Sequence, residues 1–113
     1  MTLSRIDLQD IDDLARLDCD YDQKYYPHRH KEQAISDDTP GPLNSWRAFH
    51  MVWRLGLAAA SLPDAEAALR ENWPDRWRLN EEGRWFGDEW FAVLARYVLK
   101  EHELRRTQKS YRA

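Results

Sequence analysis

One cysteine, four glycines and no apolar stretch of membrane-spanning length set the first limits on this 113-residue chain. Cys19 alone can neither close an internal disulfide nor build a cysteine-rich metal site. The glycines supply neither the elbow that exposes a nucleophilic serine nor a loop that cradles phosphate, so an independent enzyme is not expected. A spanning helix needs roughly 18 consecutive apolar residues, and the sequence has no such run. Residues Met1 to Asp7 lack the basic start and apolar stretch of a secretory leader, which makes the cytoplasm the expected compartment. Also missing are period-two stretches, hairpin dipeptides, internal repeats and low-complexity tracts. The length suits one domain with a modest core.

What the chain has in excess is tryptophan, six residues in all, with charged residues at 33% and a net charge of −3. Trp46, Trp53, Trp85 and Trp90 fall in two helix-like segments, which calls for a packed helical pair or an uncovered face awaiting a partner. The charge is unevenly spread. Residues 1–38 hold ten Asp/Glu against five Lys/Arg, whereas residues 100–113 hold five Lys/Arg against two Glu. The basic end reads as a solvated helix terminus favoured by the helix dipole. With no broad basic stripe on an acidic chain, nucleic acid is not an expected partner, and neither is a membrane.

Hydrophobic periodicity predicts an all-α protein. Leu8, Ile11, Leu14, Ala15 and Leu17 mark a short acidic helix over residues 3–18. Residues 19–42 lose this period and end in Pro40-Gly41-Pro42, an extended arm of the kind that drapes over a partner. Residues 1–42 thus form an acidic helix plus arm, and 43–113 a helical domain with a long C-terminal helix. Asn44 or Ser45 is the expected cap of a second helix reaching Ala60, with Trp46, Phe49, Trp53 and Leu57 on one stripe. Leu62-Pro63-Asp64 opens a third, ended by Trp73-Pro74. After a connector at 74–83 the last helix is expected from Arg84 to Arg106, with Phe86, Trp90, Val93 and Tyr97 in line and Trp90 facing Trp46.

Chemistry-bearing motifs are sparse. His28-x-His30 lacks the helical spacing or cysteines of a zinc site, and His102 lacks the second histidine of H-E-x-x-H, so no metal ligands are expected. Asp12-Asp13, Glu81-Glu82 and Asp88-Glu89 are neighbours that point to different helix faces, and no catalytic residue is expected among them. The remaining constellation pairs aromatics with arginine: Trp46-Arg47, Phe49, Trp53, Trp85, and Trp90 with Arg96. Those residue types dominate interface hot spots, and they also form cores rimmed by snorkelling arginines.

The stretches Leu43-Asn44-Ser45-Trp46-Arg47-Ala48-Phe49 and Phe86-Gly87-Asp88-Glu89-Trp90-Phe91-Ala92-Val93-Leu94-Ala95-Arg96-Tyr97-Val98-Leu99 resemble the helical N-terminal domain of the nitrile hydratase β subunit. That family has a Trp-led helix, a variable middle and an aromatic-x-x-W-L-x-A-x-x-R-x-L helix, and the resemblance covers about residues 43–106. The family's β subunit usually continues into a small β-barrel that this sequence does not show. Thiocyanate hydrolase and the toyocamycin-pathway nitrile hydratase carry the helical part as a separate polypeptide, which is the arrangement implied here. The resemblance implies a metal-bearing α-type partner whose C-x-x-C-S-C claw holds cobalt or iron. The family's W-E-x-R is not kept: Arg47 stands at the glutamate and Phe49 at the arginine that bonds the oxidised claw. Either Arg47 substitutes or that contact is lost.

The sequence therefore leads to a β-type or accessory subunit of a nitrile-hydratase-like hydro-lyase that lines an interface or pocket wall with Trp46, Arg47, Phe49, Trp53, Trp85, Trp90 and Arg96. The alternative is a self-contained helical protein-binding module such as an immunity, inhibitor or regulatory protein.

Overall fold

The computed structural model describes residues 2–27, 41–57, 60–79, 83 and 85–107. Among them are four α-helices, α1 (Arg5–Tyr25), α2 (Pro42–Arg54), α3 (Leu62–Asn72) and α4 (Trp90–Thr107), with a 3-10 turn at Asp75–Trp77. The described residues form no sheet, only an isolated antiparallel bridge between Leu79 and Trp85. The protein is all-α, and none of the described helices is long and apolar enough to cross a membrane.

The helix ends follow from local chemistry, and four depart from the expected boundaries. Ser4 and Asp7 close a capping box at the start of α1. The helix then continues past residue 18 to Tyr25, because Cys19 and Asp22 extend the buried stripe begun by Ile11 and Ala15. It stops just before Pro27, which disfavours helical backbone at Tyr26. Leu14 and Leu17, expected on the apolar face, lie off that stripe and are exposed. Residues 28–40, including His28 and His30 of the expected arm, lie outside the described residues.

Helix α2 begins at Pro42 with Gly41 as its N-cap, so Asn44 and Ser45 are interior rather than capping residues. It ends at Arg54 instead of Ala60. Gly56, with a φ of 76°, accepts the left-handed turn, while Gly56 N–H donates to Trp53 O and Leu57 N–H to Val52 O. This double closure is the Schellman arrangement. Ser61 caps α3, and Pro63 sits in its first turn. Helix α4 starts at Trp90, six residues later than expected, because Trp85 pairs with Leu79 and Phe86 N–H donates to Arg78 O. Those bonds hold the preceding segment in a loop.

Helix α1 packs chiefly on α2, α3 on α4, and α2 on α4. One core unites Ile11 and Ala15 of α1 with Trp46, Phe49 and Met51 of α2, Leu69 of α3, and Phe91, Leu94 and Val98 of α4. Trp73 and Trp77, which the periodicity leaves in a helix end and a connector, are also buried in it. Their rings meet edge to face at 5.3 Å, and Trp73 continues to Phe91 at 6.0 Å, so the 3-10 turn reaches into the core through Trp77.

Candidate functional site

The aromatic and arginine residues singled out by the sequence separate into an inner set and an outer set. Trp46 is 1% exposed and meets Phe49 edge-on at 5.7 Å and Tyr97 of α4 at 5.9 Å. Arg105 of α4 lies over both rings, 5.5 Å from Trp46 and 4.4 Å from Phe49. It therefore covers aromatic faces instead of forming part of a fully solvated basic end. Asp18 of α1 stands 3.8 Å from Arg105 and hydrogen-bonds His50 Nε2, while Glu101 is buried in α4. Three helices thus meet around a mixed aromatic and ionic cluster.

Arg47 occupies the other inner position. It is 9% exposed; its Nε donates to Asp12 Oδ1 of α1 at 2.6 Å and its Nη1 to Asn44 Oδ1 at 3.0 Å. Its guanidinium lies 4.9 Å from the Trp77 ring, and Asn44 Nδ2 donates in turn to Leu79 O at 3.2 Å. One side chain therefore ties α1, α2 and the turn after α3 together. Planar, multiply donating guanidinium chemistry is what such a position requires.

The acidic helix is paired largely within the chain. Besides Asp12 with Arg47 and Asp18 with His50, Arg54 at the end of α2 contacts Asp10 and lies 3.8 Å from Asp7. Part of the acidic charge legible in the sequence is thus met by side chains of the adjacent helix. Asp12, Asp18, Asn44 and Trp77 carry these contacts, and nothing in linear spacing marks them. Asp12 to Arg16, four residues apart, is the only one of its links that the sequence displays.

Burial pushes the Asp12 carboxyl upward, but hydrogen bonds from Arg16 and Arg47 and their charges outweigh it and leave the group below its ordinary value of 3.8. A depressed carboxyl adds stability that is present above its unfolded-state value and is lost as pH falls through the folded-state value. Stability should decline as pH drops below about 4, and the Asp12→Asn variant should show a shallower decline. Urea unfolding of both proteins between neutral and strongly acidic pH measures the difference; parallel curves would remove Asp12 as a source of acid sensitivity.

The outer set is Trp53, Trp85, Trp90 and Arg96. Trp53 is 55% exposed, yet its inner face stacks on buried Phe49 at 5.9 Å with a 25° interplanar angle, and His102 of α4 lies 6.4 Å away. Trp85 is 62% exposed on the bridged loop rather than in a helix. Trp90 is half-buried at the first position of α4, and Arg96 is exposed one and a half turns along it. Helices α2 and α4 pack together, but the ring that Trp46 meets on α4 is Tyr97 rather than Trp90, and of the two tryptophans only Trp46 is fully enclosed. Among the described residues no group of three or more His, Cys, Asp or Glu is arranged to hold a metal ion.

No protein-family model, curated protein or solved structure matches this chain.

Proposed function

We propose that this chain is a helical protein-binding subunit, in the manner of the β-type or accessory subunit of a nitrile-hydratase-like hydro-lyase, with Trp53 anchoring its docking face. The supporting observation is the state of Trp53: an indole held from beneath by Phe49, with its outer face open. A ring already fixed in place loses little freedom when a partner covers it, which is the character of an interface anchor. The cobalt or iron of this reading does not fit the donor set here, because a C-x-x-C-S-C claw needs three cysteines and this chain has one, Cys19, which is buried. In this reading the metal is held by an α-type partner.

A second reading, a self-contained binding module, draws support from Arg47. Its guanidinium is engaged by Asp12 and Asn44 within the chain rather than directed toward a partner's oxidised cysteines. Association with a purified claw-bearing α-type protein distinguishes the two. In the subunit reading, the two chains form a stoichiometric complex and Trp53→Ala weakens it by on the order of 2 kcal/mol, while thermal unfolding of the isolated chain moves little. No association with any claw-bearing protein would reject the hydro-lyase role. Unchanged affinity of the variant in such a complex would reject Trp53 as its anchor.

A further inference from the structure

A groove of about 550 Å³ lies between the first turns of α1 and the 3-10 turn, lined by Arg5, Ile6, Gln9 and Arg76. Its two arginines come from different elements, and neither has a carboxylate partner among the described residues. Arg76 instead rests against Trp77, its guanidinium 5.6 Å from the ring centroid, which steadies a side chain that would otherwise be free. The acidic residues next to the groove in sequence already have donors. Asp7 accepts from Ser4, Asp13 from Gln9 Nε2 at 3.0 Å, and Asp75 lies 3.5 Å from Arg78. The start of α1 is likewise closed by its own capping box, so the groove is not simply a helix terminus.

We infer that this groove is a binding site for a small organic dianion, a phosphate monoester or a dicarboxylate. Two guanidinium forks match two units of negative charge and present paired donors to oxygen atoms. Ile6, 82% exposed, offers an apolar wall to the carbon body of such a ligand. Gln9 stands one turn from Arg5 on the same face, and with its amide nitrogen donating to Asp13 its oxygen is left to accept from a ligand hydroxyl. An inorganic ion would satisfy the arginines but leave the apolar wall unused.

The test is a titration of the full chain, followed by NMR at constant ionic strength, with phenyl phosphate, succinate and uncharged phenol. At least one dianion should saturate with a Kd of about 1 mM or tighter, and the one that binds better identifies the ligand class. Arg5→Gln and Arg76→Gln should each weaken it at least about tenfold. Lys100→Gln, at an exposed lysine of α4 outside the groove, should leave it unchanged. Saturation by neither dianion would overturn the site. So would an equal loss in Lys100→Gln, which would mean attraction by the overall field, or equally tight binding of phenol, which would mean a merely apolar groove.

Discussion

Replacing Trp46 by alanine is expected to destabilise the chain by about 3–5 kcal/mol, the range for removing a fully enclosed large aromatic. The site has little means of collapsing, because Phe49, Tyr97 and Arg105 belong to two helices that are themselves fixed by other contacts. Arg105 would in addition lose part of the aromatic surface over which it lies. For a chain of this size the loss corresponds to a fall in Tm of roughly 12–20 °C. Trp90→Ala should cost distinctly less, about 1–2 kcal/mol, since half-burial leaves less transfer energy and a smaller void. Thermal and urea unfolding of both variants beside Trp53→Ala orders the three. A Trp46 variant no less stable than the Trp53 variant would contradict the division into inner and outer tryptophans.

That division marks the limit of what the linear pattern conveys. Helical periodicity found the four described helices and the all-α class, since burying a stripe that includes Ile11 and Ala15, or Phe91, Leu94 and Val98, requires only local spacing. It did not say which tryptophan of the stripe Trp46, Phe49, Trp53 is enclosed. That depends on where α4 crosses α2, a relation between residues about fifty positions apart. Boundaries failed for a different reason. Gly56 signals the end of α2 through a positive φ, and a window that weighs apolar residues alone reads past it through Leu57 to Ala60. At α4, the aromatic run Trp85-Phe86 keeps helical spacing although the bridge to Leu79 holds its backbone in a loop.

The acidic helix shows how charge is misread without its neighbour. A helix bearing Asp7, Asp10, Asp12 and Asp18 suggests a surface awaiting a basic partner, yet Arg54, Arg47 and His50 of α2 already face those groups. The proposed docking role rests instead on Trp53, which is more than half exposed. The candidate anion groove was equally hidden, because Arg5 and Arg76 are separated by most of the chain. Only the packing of α1 beside the 3-10 turn brings them to one cavity.

The pairing of Arg47 with Asp12 is expected to be the most sensitive polar contact in the molecule. Arg47→Ala removes hydrogen bonds to Asp12 and Asn44 and the stacking on Trp77 in one step, and leaves a largely buried carboxylate to Arg16 alone. Breaking a buried pair by deleting one partner typically costs about 3–5 kcal/mol; because Arg16 still reaches Asp12, a loss of about 2–4 kcal/mol is expected. Arg47→Lys should recover little of this, since a single ammonium cannot bond Asp12 and Asn44 together while covering the indole of Trp77. Replacing both members, as in Arg47→Met with Asp12→Leu, removes the stranded charge and should restore much of the stability lost by Arg47→Met alone. Urea unfolding of the two single variants and the double variant completes the cycle. A coupling energy near zero would mean that Arg47 acts only by filling space beside Trp77, and the ionic tie between α1 and α2 would then contribute nothing measurable.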